Sequence, residues 1–187
     1  MRKTKPTIAY RRKRQSKTDY RKRIKSLKSD TPRLVVRPSL KNIIVQIIDY
    51  SAKGDKIISS ACSLQLRKLG WKASTSNLSA AYLTGLMAAK NSKAKQAKLD
   101  IGYASLTKGG RICAAVKGVM DAGVKVNIPE EMLPNEARLK GKHVEDFAKL
   151  ISGSEKYKLQ FSQYITQGLK PEELTKHFED IKAKIMK

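Results

Sequence analysis

Acidic residues are scarce in this chain. Sixteen Asp and Glu stand against 40 Lys and Arg, a formal net charge of +24 over 187 residues. A charge of that size governs partners rather than fold. It fits nucleic acid, an anionic membrane surface or an acidic protein. Long apolar runs are absent as well, so no segment predicts a transmembrane helix, and the N-terminus lacks the apolar core of a signal peptide. An Arg-rich start is shared with organellar presequences, but here the cationic character continues well past such a peptide's length. Cysteine is limited to Cys62 and Cys113. They are far apart and lack CxxC or Cys/His spacing, which argues against a zinc site and predicts buried thiols in a reducing cytosol.

Recognisable catalytic patterns are missing too. There is no GxSxG, HExxH or Walker motif. The two histidines, His143 and His177, fall in predicted helices beside acids, a pattern typical of surface positions. Asp49, Asp55 and Asp100 fall near strand ends, where an α/β nuclease holds Mg²⁺ between carboxylates. Asp55 belongs to a turn, however, and Asp100 begins its strand, so nothing converges by pattern. No cofactor and no metal are predicted.

What is present is distributed unevenly. Met1 to Arg33 holds 14 basic residues and 2 acids, +12 net, so half the excess charge sits in less than a fifth of the chain. With few apolar residues, this segment cannot bury a core alone and reads as an arm that orders on a polyanion. Within it, "YRRKRQSKTDYRKRIKSLKS" interleaves tyrosines with arginines, which supplies stacking surfaces and forked phosphate donors. A helix through "KTDYRKRIKSLKS" puts Tyr20, Ile24 and Leu27 on one face for docking on protein and leaves the basic residues around the rest. The same run also suits a solvated or localisation segment. A membrane-surface helix would need a wider apolar face.

After Pro32 the composition changes. "RLVVRPS", "NIIVQIIDY" and "KIISSACS" predict three strands with short connections, an antiparallel meander. Ile43, Val45 and Ile47 alternate with Ile44, Gln46 and Ile48, a pattern for a strand covered on both faces. "TSNLSAAYLTGLMAAKNSKAK" has helical spacing, with Ser76 or Asn77 as cap and small residues around Gly85 for close packing on the sheet. "LDIGYAS" predicts a fourth strand. "TKGG" predicts a tight turn, and "RICAAVKGVMDAG" a second helix with an Ile112, Ala115, Val116, Val119 stripe. "VKVN" predicts a short fifth strand. The order is β-β-β-α-β-α, an α/β mixed sheet with two packed helices. "IPEEMLPNEARLKGK" reads as a linker. Beyond it, "HVEDFAKLIS", "EKYKLQFSQYI" and "PEELTKHFEDIKAKIMK" predict helices that pack on the core or on a partner. The expected organisation is a basic arm over 1–32, an α/β core over 33–127, and a linker with a helical extension over 128–187.

Two clusters on the core extend the basic character. Arg33 and Arg37 are four apart in a strand and share a face, with Lys41 in the following turn. They read either as a row that continues the arm's cationic surface or as edge-strand charges that block aggregation. "TKGGR" exposes backbone N–H groups before a helix, flanked by Lys108 and Arg111. It reads either as a phosphate site or as a plain strand-to-helix turn.

The segments "KTDYRKRIKSLKSDTPRLVVRPSLKNIIVQIIDYSAKGDKIISSA", "GWKASTSNLSAAYLTGLMA", "LDIGYASLTKGGRICAAVKGVMDAGVKV" and "FSQYITQGLKPEELTKHFEDIKAKI" occur in the order of a known family. Through them the chain resembles large-subunit ribosomal protein eighteen, in its archaeal form, nearly end to end. "RPSLKNI" departs from the family's more usual histidine-bearing turn. The resemblance implies a cytoplasmic ribosomal protein that catalyses no reaction. Its implied partners are 5S rRNA, large-subunit rRNA of the central protuberance and neighbouring ribosomal proteins, with no membrane and no small-molecule substrate. The RNA contacts it implies are Arg11, Arg12, Arg14, Lys17, Thr18, Tyr20, Arg21 and Arg23 in the arm. On the core they are Arg33, Arg37, Ser39, Lys41 and Asn42, then Lys108, Gly109, Gly110 and Arg111. An RNA-processing nuclease of similar topology is the competing reading.

Overall fold

Alternating branched side chains after Pro32 build the centre of a sheet. The computed structural model describes residues 7–187. Its strands β1 (Arg33–Pro38), β2 (Ile43–Asp49), β3 (Lys56–Cys62), β4 (Gln96–Asp100) and β5 (Lys125–Val126) lie in the order β3-β2-β1-β4-β5. The first three form the antiparallel meander, and β4 and β5 join in parallel. Register places Leu34 opposite Ile47 and Val36 opposite Val45. These four residues and Ile43 are fully buried on one face.

Two helices cover that face. Helix α3 (Leu78–Lys90) starts at Asn77, whose side chain accepts the Ala80 N–H at 2.8 Å, satisfying one of the orphan donors of the first turn. Helix α4 (Arg111–Asp121) buries Ile112, Ala115, Val116 and Val119. The two helices touch backbone to backbone. A Cβ on Gly85 would overlap the Ala115 carbonyl, and one on Gly118 would overlap the Tyr82 carbonyl. Backbone on both sides leaves nothing soft to move, so Gly85→Ala is expected to cost about 2–3 kcal/mol in urea unfolding. Unchanged stability would mean that the helices separate freely.

The opposite sheet face is more open than the apolar pattern of β2 predicts. Ile44 is 41% exposed and Ile57 is 54% exposed, so β2 is covered on one side only. The fourth strand is also earlier than "LDIGYAS". It ends at Asp100, whose carboxylate accepts the Gly102 N–H at 2.9 Å, a local turn that competes with further pairing. Gly102 then takes φ +62°.

The expected linker is partly helical. Asn135 caps α5 (Glu136–Lys140), and Leu139 is buried against the core. The Ser79 hydroxyl donates to the Leu139 carbonyl at 2.7 Å. Helices α6 (Lys142–Leu150), α7 (Glu155–Gln160), α8 (Ser162–Thr166) and α9 (Leu174–Met186) follow. The single helix expected through "EKYKLQFSQYI" breaks at Phe161, which packs against Phe147, Tyr157 and Tyr164.

Helix α9 docks on the core through Leu174, Phe178, Ile181 and Ile185, all buried. The His177 ring stacks on Trp71 with centroids 5.1 Å apart, and its Nε2 accepts the Lys72 N–H at 3.0 Å. Burial, then the charges of Lys72 and Lys184, outweigh Asp180 and hold His177 below its ordinary value of 6.5. With a lowered folded value, the unfolded chain takes up this proton first. The contribution is therefore complete above pH 6.5 and is lost as pH falls through the lowered value. His143 is lowered too, by burial and Arg138. The difference between the parent and His177→Gln isolates the α9 contribution. The parent's urea midpoint is expected to fall more between about pH 7 and 5 than the variant's, and parallel curves would refute this assignment.

Candidate nucleic-acid interface

The basic arm lies along the open side of the sheet. Its first six residues are outside the described ones. Helix α1 (Arg11–Arg14) carries no buried residue. Helix α2 (Tyr20–Leu27) begins at Asp19, whose carboxylate accepts the Arg21 and Lys22 N–H groups at 3.0 and 3.1 Å. The acid that interrupts the basic run is thus a helix cap. Tyr10 and Tyr20 have ring centroids 5.4 Å apart, and Arg12 Nε donates to the Thr18 hydroxyl at 2.8 Å.

The docking face of α2 differs from the expected Tyr20, Ile24, Leu27 stripe. Ile24 is 60% exposed, and Ser26 is the buried residue. Polar bonds hold the arm instead. Tyr103 donates to the Thr18 carbonyl, Lys98 to the Lys25 carbonyl, and Arg23 binds the Asp55 carboxylate at 2.9 Å.

Beneath Arg23 lies a network of three arginines and two aspartates. Arg33 binds Asp55 at 2.6 Å and Asp100 at 3.1 Å, and Arg37 binds Asp100 at 2.9 Å. Arg33 was expected in a row that continues the arm's cationic surface, and here it lies beneath that surface. Its side chain is only 5% exposed, and its charge is spent on two carboxylates. Strand β1 is also interior, so edge protection does not explain it. Arg33 Nε is buried without a partner among the described residues. Burial alone would raise the Asp100 pKa. The Arg37 hydrogen bond and charge, the Gly102 N–H and Arg33 outweigh it and hold Asp100 below its ordinary 3.8. Asp55 and Asp100 therefore converge after all, but on arginine. Among the described residues no group of three or more His, Cys, Asp or Glu could hold a metal ion.

Arg12, Lys17, Thr18, Arg23, Arg33 and Arg37 are brought together around one cavity of about 370 Å³ between arm and sheet. Lys22 joins them there, a residue read as part of the basic faces of the helix but not among the RNA contacts that the resemblance implies. Arg11, Arg14 and Arg21 stay exposed on the outer side.

A second group of predicted residues gathers at the β1–β2 turn. The Ser39 hydroxyl accepts the Asn42 N–H at 3.0 Å and donates to the Asn42 carbonyl. This tight turn projects Leu40 and Lys41 into solvent. Arg111 donates to the Ser39 and Ser76 carbonyls at 3.1 and 3.4 Å, so it braces the turn against the start of α3. At the "TKGG" turn the Gly109 N–H donates to the Met132 carbonyl and the Gly110 N–H to the Thr107 carbonyl. These two donors are not open to an anion, which favours the plain strand-to-helix turn there. Lys108 is exposed beside it.

No helix among the described residues is long and apolar enough to cross a membrane. Residues 5–96 match the family model described as ribosomal large subunit proteins 60S L5, and 50S L18. The match takes in the arm, the meander, α3 and the first residue of β4. Over residues 5–96, which hold the arm and most of the sheet, the chain is a large-subunit ribosomal protein of the L18 type.

Proposed function

We propose that this protein, a structural rRNA-binding constituent of the large ribosomal subunit by family, binds 5S rRNA and attaches it to large-subunit rRNA in the central protuberance. The observation that carries the reading is the division of labour among its arginines. Arg23, Arg33 and Arg37 neutralise Asp55 and Asp100 and fix the arm on the sheet. Arg11, Arg14 and Arg21 stay exposed on the outer side, and Arg12 and Lys17 at the rim of the cavity hold no carboxylate among the described residues, so these five remain for backbone phosphates. Tyr10 and Tyr20 add ring faces for unstacked bases. Lys41 at the turn and Lys108 beside α4 extend the basic surface onto the core. In this reading 1–32 is the arm, 33–127 the RNA-binding core and 128–187 the extension that meets neighbouring ribosomal components in the cytoplasm. The protein acts by binding and catalyses nothing.

The test is recovery of bound RNA from the full chain purified natively, followed by gel-shift titration with 5S rRNA and with an unrelated RNA of equal length. Co-purification of 5S-sized RNA and tighter binding to it are expected. Equal affinity for both RNAs, or cleavage of either on adding Mg²⁺, would overturn the reading.

A further inference from the structure

The β1–β2 turn and α8 form the two sides of a groove of about 590 Å³. That volume lies in the range of about 300–1,000 Å³ that encloses a ligand-sized group, enough for a nucleotide. The loop before α3 makes its floor, held to the turn by the Thr75 hydroxyl, which donates to the Lys41 carbonyl at 2.8 Å. Helix α8 is fixed independently, because Tyr164 packs on the core beside Asn77. Both sides therefore stand on the rigid part of the fold.

The chemistry of the lining is distinctive. It contains no acid and no aromatic ring, and Leu40 is its one apolar residue. Lys41 and Arg67 supply charge, and Gln163 and Thr166 of α8 and Gln167 just past its end, all exposed, supply amides and a hydroxyl. Among the described residues, the Lys41, Arg67, Gln163 and Gln167 side chains have no hydrogen-bond partner. Leu40 alone falls short of the clustered apolar or aromatic anchors that carry a protein interface. Cations beside amides and hydroxyls instead match phosphates flanked by ribose and base edges.

We infer that this groove binds an unpaired segment of rRNA, with Lys41 and Arg67 on its phosphates and Gln163 and Gln167 on its sugar or base edges. The inference rests on the RNA-binding reading above and adds a specific contact from the C-terminal extension, whose helices the sequence assigns only to packing on the core or on a partner. Lys41 belongs to both surfaces, so the groove continues the basic face of the core past the turn.

The test uses the full chain carrying Arg67→Ala, Gln163→Ala and Gln167→Ala together, beside an arm variant with Arg11, Arg12 and Arg14 changed to Gln. Gel-shift titrations are run against 5S rRNA and against a large-subunit rRNA transcript. Unchanged circular dichroism and urea midpoint establish that the groove variant folds. Its affinity for one of the two RNAs is expected to drop roughly tenfold, the loss of a few solvent-competed hydrogen bonds. The RNA affected identifies which rRNA supplies the segment. A photoreactive side chain at position 163 is expected to cross-link to rRNA in assembled subunits. Full affinity for both RNAs, or cross-links to protein alone, would overturn the groove while a weakened arm variant still upheld RNA binding. If neither variant loses affinity, the broader reading falls with it.

Discussion

Affinity for 5S rRNA is expected to fall steeply with salt, with log K dropping against log salt at a slope of roughly −5 to −9, a loss of some 10³–10⁵ from 50 to 200 mM. The slope counts the phosphates neutralised, and the outward row on α1 and the start of α2 has the charges for six to ten contacts together with the core, as the range above requires. Three arginines are not in that count. Arg23, Arg33 and Arg37 already hold carboxylates and so do not neutralise phosphates, whose condensed counterions set the slope. Changing Arg11, Arg12 and Arg14 to Gln is expected to flatten the slope by about 3, near one unit per lost contact. A parent slope near −1 would mean that the row does not touch RNA.

The second large effect concerns the network beneath the arm. Asp55→Asn combined with Asp100→Asn is expected to cost about 3–5 kcal/mol in urea unfolding, because it strands the Arg33 charge in a buried position. Arg33→Met is expected to cost far less, about 1 kcal/mol, since it removes the buried charge itself. Asp55 then keeps Arg23, and Asp100 keeps Arg37 and the Gly102 N–H. Equal costs for the two variants would show that Arg33 is not the centre of the network. The pH dependence has a definite sign. Asp100 is lowered from 3.8 on folding, so its contribution is complete above that pH and is lost as pH falls through the lowered value.

Periodicity in the sequence was enough to find the meander, both covering helices and the buried stripe of α9, because each has an apolar face of its own. Close packing at Gly85 was legible as well, since small residues in an apolar helix signal it, but its partner was not: the helix was expected to close on the sheet, and Gly85 meets the Ala115 backbone of α4 instead. Arg33 was not. Its environment depends on Asp55 in the β2–β3 turn and Asp100 at the end of β4, which only tertiary pairing brings together. The α2 docking face was misread for a related reason. Ile24 marks an apolar face, but hydrogen bonds from Tyr103 and Lys98 to arm carbonyls decide the orientation, and backbone acceptors leave no trace in residue type. The groove beside α8 was equally hidden. Ser162, Gln163, Thr166 and Gln167 look like solvated polar residues until the turn at Leu40 and Lys41 is placed opposite them.

Strand β1 pairs with β2 on one side and with β4 on the other, and these partners arrive at very different times during synthesis. The hairpin partner follows at once, while β4 emerges only after the whole of α3. Until then the nascent chain carries a β1 edge with unpaired backbone groups and a sheet face not yet covered by α4, a template for pairing with other chains. The segment made just before β1 is the arm, with 13 basic residues and 2 acids. Its charge repels identical nascent chains at the stage when their edges are bare. The residues proposed to meet phosphate thus also keep nascent chains apart while the strand they precede is unpaired.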